Sequence, residues 1–140
     1  MKRIVMVAAA LAVAGTVLAA EQPAKRVPET AQTVEAIKKA VADAKGFGYV
    51  QSVQFDVGNR EIIVLWYCPF SGRAACYVHG YYYDPEQKKW VLFLDDLVEG
   101  THDLSVSLPC GQNALVIYNH MGKEVRKVDV SKVPGKKDAK

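Results

Sequence analysis

Little in this chain announces a reaction. Its 140 residues hold no phosphate-binding glycine loop, no nucleophile-elbow serine and no dinucleotide fingerprint. Cysteine is scarce. There are three, and none has the Cys-x2–4-Cys spacing of a closed zinc site. Charge of one sign does not accumulate either, with 18 Lys and Arg against 15 Asp and Glu. Without Lys2 and Arg3 the balance falls to about +1, which argues against a dedicated nucleic-acid binder. Long apolar runs are missing after Ala20, which excludes a multi-span membrane protein. The rest is too apolar for a disordered chain.

What is present begins with an address. Met1-Lys2-Arg3 is a short positive start, and residues 4–20 are apolar or small except at Thr16. Val17 and Ala19 place small side chains at −3 and −1 of a cut after Ala19. This is the secretory pattern: a signal peptide over 1–19, then a polar leader over 20–29 carrying two prolines. A bacterial periplasmic or secreted location follows, in an oxidising compartment. One domain over 30–133 and a basic, solvated tail over 134–140 complete the expected layout.

Thr30 is the expected cap of a helix ended by Gly46, with Val34, Ile37, Val41 and Ala44 on one narrow apolar stripe and a Glu35–Lys39 pair beside it. From Phe47 the period changes to two. Phe47, Tyr49, Val53, Phe55 and Val57 alternate with polar residues, and Gly58-Asn59 makes a hairpin turn. That turn sets Phe55 against Ile62 and Val53 against Val64. The second strand, 60–68, is apolar on both faces and therefore needs cover on both. Further strands are expected over 74–83, 89–94 and 104–108, with a last hairpin of 114–119 and 124–130 around Met121-Gly122. These elements predict an α+β fold: one N-terminal helix on a curved antiparallel sheet of six or seven strands, similar in outline to cystatin-like or NTF2-like topologies. The alternative is a small β-barrel or a sandwich with an appended helix.

Cys68 and Cys76 face each other if strands two and three form a hairpin, which predicts a disulfide closing the base of a short loop. The same register pairs Trp66 with Val78 and Ile62 with Tyr82. Cys110, in a turn after Pro109, is expected to be a buried free thiol. His79, His102 and His120 are available as bases, but no local signature joins one to a cysteine, and a paired thiol cannot attack. A metal site from Cys68, Cys76 and His79 is equally unsupported by spacing. Asp95, Asp96, Glu99 and Asp103 surround Gly100 and are expected to form a solvated acidic turn.

Twelve of the thirteen aromatic residues lie between Phe47 and Phe93. The register sorts them. Phe55, Ile62, Val64, Trp66 and Val78 share one sheet face, suited to the helix. Tyr67, Tyr77, His79, Tyr81 and Tyr83 share the other, with Ile63 and Leu65. Tyrosine and histidine combine area with a polar tip, a composition favoured at interfaces. The expected partner surface is Phe70, Arg73, Tyr77, His79 and Tyr81, joining the clipped loop to this face. The expectation is a binding or inhibitor-type protein rather than an enzyme, with another envelope or secreted protein as partner. The alternatives are a periplasmic small-ligand binder with a Tyr-lined pocket, or a small envelope enzyme. No cofactor, metal or nucleic acid is expected, and the membrane is met only through the uncleaved signal peptide.

Overall fold

The computed structural model describes residues 27–45, 50–68 and 74–135. The expected signal peptide, the leader up to residue 26, Phe47, Tyr49, the loop residues 69–73 and tail residues 136–140 lie outside the described residues.

The fold is mostly antiparallel sheet with one short helix. In chain order the elements are β1 (Thr30–Ala31), α1 (Val34–Lys45), β2 (Gln51–Val57), β3 (Arg60–Tyr67), β4 (Ala75–Asp84), β5 (Lys89–Glu99), β6 (Leu104–Ser107), β7 (Ala114–Asn119) and β8 (Glu124–Asp129). They form two sheets rather than one curved sheet: β1-β5-β4-β3-β2 and β6-β7-β8. Neither closes into a barrel. With one short helix and two antiparallel sheets, the class is α+β or mostly β.

The hairpin registers follow the turns. β2 and β3 pair Phe55 with Ile62 and Val53 with Val64 across Gly58-Asn59. β3 and β4 pair Trp66 with Val78 and Ile62 with Tyr82. Asp84 holds the next turn, its Oδ1 accepting the amides of Glu86 at 2.9 Å and Gln87 at 3.2 Å. β5 then continues to Glu99, well past Leu94. Asp95 and Asp96 are therefore strand residues and not a solvated turn. Their side chains alternate across the strand, Asp95 opposite His79 and Asp96 opposite Val78, and each finds a partner on its own side.

A register shift between Gly80 and Tyr81 accommodates Phe93 as an extra β5 residue. Glycine leaves room there: a Cβ on Gly80 would stand 3.0 Å from both the Leu94 Cβ and the Phe93 ring, and these would have to give by a few tenths of an ångström.

The two faces of the larger sheet are covered differently, and the expected assignment is reversed. Ile62, Val64, Trp66, Val78 and Val98 pack against Leu104, Leu115, Ile117, Val130 and Val133, so the second sheet and the C-terminal segment cover this face. Ile63, Leu65, Tyr67, Tyr81 and Trp90 pack with Val27, Ile37 and Val41, so the helix covers the tyrosine face. Two fully buried helix residues, Ile37 and Val41, close the tyrosine face, while side chains of the second sheet interdigitate with the other.

The local connections favour the same side. Thr30 does not cap the helix; with Ala31 it pairs with the β5 residues Val91 and Trp90. Thr33 caps instead, its Oγ1 accepting the Ala36 amide at 3.1 Å. Glu35 approaches Lys38, at 3.9 Å, rather than Lys39. The Tyr81 hydroxyl donates to the Pro28 carbonyl at 2.7 Å, tying the segment before β1 to the middle of β4. At the other end of the chain, Arg60 donates to the carbonyls of Val133 (2.9 Å) and Ser131 (3.0 Å), fastening the C-terminal segment to the start of β3.

Candidate functional site

The bridge expected from the hairpin register is present: Cys68 and Cys76 form a disulfide, with Cα atoms 4.3 Å apart. It closes the base of the β3–β4 loop. Directly beside it on the strands, Tyr67 and Tyr77 are paired. Their rings stack with centroids 5.1 Å apart and planes within 10°. The Gly100 amide donates to the Ala74 carbonyl at 2.7 Å, joining the end of β5 to the returning arm of the loop. Both stems of the loop are thus held.

The five residues of the expected partner surface do not share one exposed face. Phe70 and Arg73 lie outside the described residues. Tyr77 is half-buried. His79 is 1 % exposed and Tyr81 0 % exposed, so neither side chain can meet a partner in this conformation. Both belong to the face that the helix closes. The residue types are those of an interface, but what covers them depends on how the helix packs.

Within that closed face lies a polar string. The Tyr67 ring stacks over His79 at 6.2 Å. His79 Nδ1 is 3.0 Å from Asp95 Oδ1, and the Asp95 side chain is 60 % exposed. A buried imidazole therefore reaches the rim through a solvated carboxylate. Burial pushes the hydroxyl of Tyr67 well above the ordinary tyrosine range, with the nearby Tyr77 and Asp95 adding to the effect. Burial does the same to Tyr81, again assisted by Asp95. Both phenols stay neutral hydrogen-bonding groups throughout the physiological range.

On the opposite side of the disulfide a second polar cluster forms around Thr101, which is 1 % exposed. Its carbonyl oxygen sits 3.6 Å from Cys76 Sγ. Its hydroxyl donates to the Asp103 carbonyl at 2.6 Å and meets His120 Nδ1 at 3.1 Å and the His120 amide at 3.2 Å. Asp103 Oδ1 accepts from the Leu104 amide at 2.8 Å, Gln51 Nε2 at 3.2 Å and Trp66 Nε1 at 3.4 Å. The exposed rings of His102 and His120 lie 5.7 Å apart.

In the sequence the acids group around Gly100 and the histidines stand singly; the contacts between the two are not legible there. Extending β5 past Leu94 in the register of the Asp84 turn would set Asp95 opposite Val78; only the extra residue at Phe93 brings it opposite His79. The Thr101 cluster spans both sheets and had no local signal. Cys110 is exposed rather than buried. It sits in a turn closed by the Gln112 amide donating to the Pro109 carbonyl at 3.1 Å, with Gly111 at φ 76°, and such a turn has no core to enter.

Among the described residues no helix is long and apolar enough to cross a membrane. No family model matches the chain, no curated protein matches it, and no solved structure matches it.

Proposed function

We propose that this is an exported bacterial binding protein of inhibitor type, which recognises another envelope or secreted protein through the loop clipped by Cys68 and Cys76. The observation that carries this reading is the doubly held loop base: the disulfide on one side and the Tyr67–Tyr77 stack beside it. A loop whose ends are held loses less entropy on binding. The loop sequence supplies Phe70 and Arg73, an aromatic and a fixed cation, which are types that often dominate interface energy. Tyr77 is the third contact at its stem. His79 and Tyr81 are buried and are not among the proposed contacts.

Export rests on the signal-peptide pattern of residues 1–19, and the disulfide is compatible with an oxidising compartment. The test uses mature protein as bait against envelope and culture-supernatant fractions, beside a Phe70→Ala/Arg73→Ala variant. A single species should be retained by the native protein and weakened by ~1–3 kcal/mol per substitution in the variant, with melting temperature unchanged. Equal retention by the folded variant would reject the loop as the recognition element.

A further inference from the structure

The geometry points to an open, two-histidine site for a divalent late first-row metal ion, with His102 and His120 as its protein ligands. Nothing in the reading above requires it. Thr101 is buried and brings a hydroxyl to this cluster. That hydroxyl has one proton, and the 2.6 Å contact to the Asp103 carbonyl takes it. Towards His120 it can only accept. The 3.1 Å contact with His120 Nδ1 is therefore an Nδ1–H donation. This selects one tautomer and leaves Nε2 with a free lone pair on an exposed ring. Metal-binding histidines are prepared in the same way, the non-ligating nitrogen donating to a fixed acceptor that sets tautomer and ring orientation.

His102 stands beside it. With each imidazole nitrogen ~2.0–2.1 Å from a metal at a tetrahedral angle, two ring centroids lie about 5.2 Å apart. The observed separation is 5.7 Å between exposed rings, with their planes at 56°, a spacing close to that of two imidazoles on one ion. Among the described residues no three His, Cys, Asp or Glu side chains converge on a possible metal position. The site therefore has two protein ligands, with water completing the shell. Such a site exchanges its ion and does not hold the fold together. Neutral imidazole suits copper, nickel and zinc, and the general order of affinities places Cu2+ first.

The test is titration of the folded protein with Cu2+ and, separately, Zn2+ in a non-coordinating buffer. A Cys110→Ser background removes the exposed thiol, which would bind or reduce copper. Calorimetry should find one ion per chain, with Cu2+ tighter than Zn2+. Copper should broaden the amide resonances of Thr101, His102 and His120 first. His102→Gln and His120→Gln should each weaken Cu2+ at least tenfold, and the double variant should abolish the site. Thr101→Val should weaken it several-fold and Thr101→Ser restore it, which separates a positioning hydroxyl from mere packing. Undiminished one-to-one binding by the double variant would overturn the assignment, as would broadening centred elsewhere or a stoichiometry of one ion per two chains.

Discussion

The two faces of the five-stranded sheet are built from alternate residues of the same strands and behave as different materials. On β3, Ile62, Val64 and Trp66 point to a largely aliphatic interface shared with a second sheet, with Phe55, Tyr82 and Phe93 packed at its margin. Ile63, Leu65 and Tyr67 point to an aromatic layer closed by one helix. The first face is sealed by three strands and the segment through Val133. The second rests on two fully buried helix residues, Ile37 and Val41, and it carries a buried histidine and two buried phenols. A strand apolar on both sides requires two covers without specifying which. An aromatic face also tolerates a thin cover, because each ring fills volume and its polar tip can reach a backbone group at the edge.

The largest effect is expected where the aliphatic face is closed. Leu115→Ala removes a fully buried side chain between the sheets and should cost about 4 kcal/mol in urea unfolding. A loss under about 1 kcal/mol would mean that the second sheet does not seal this face.

The aromatic face should show itself at high pH. Tyr67 and Tyr81 have hydroxyl pKa values raised above the ordinary 10.0 by burial. The unfolded chain ionises them above pH 10 and the folded chain does not, so their contribution is intact below pH 10 and lost as pH rises towards the folded values. Each phenol adds a slope of up to ~1.4 kcal/mol per pH unit, or about 2.7 for the pair. Absorbance titration should find two tyrosines ionising only with unfolding, and Tyr81→Phe should roughly halve the slope. Seven tyrosines titrating together while the protein stays folded would show the helix cover to be open.

The disulfide lies at the end of the sheet where the two faces meet, with Cys76 inside the aliphatic cluster. Its loop is short, with a sequence separation of 8. Cys68→Ala/Cys76→Ala should therefore destabilise by about 2.5 kcal/mol, while exposed Cys110→Ala should stay within ~0.5 kcal/mol. Equal losses from the two variants, measured by thermal melts, would contradict this.

The smallest effect should come from the rim of the sandwich. Arg126 Nε donates to Asp96 Oδ2 at 2.8 Å, linking β8 to β5 with both side chains partly exposed. Arg126→Ala should cost only ~0.2–1 kcal/mol, and less at high salt. A loss of several kcal/mol would mean that this contact, rather than the aliphatic packing, joins the sheets.

The local signals in the chain determined a good deal. Gly58-Asn59 set one hairpin. The facing of Cys68 and Cys76 set the next and its bridge. The alternation along β3 foretold two buried faces. All of these are decided by neighbours in sequence or by a single turn, where period and turn geometry suffice. Three other outcomes belong to the tertiary structure. Asp95 and Asp96 look like a turn until pairing with β4 draws them into β5, because strand pairing can override local polarity. Thr30 looks like a helix cap until the edge of β5 takes its backbone. The helix could have covered either face of the sheet. Its placement under the tyrosines buried His79 and Tyr81 and left the clipped loop as the remaining candidate for recognition, because packing volume over the whole domain, and no single segment, decides which surface stays exposed.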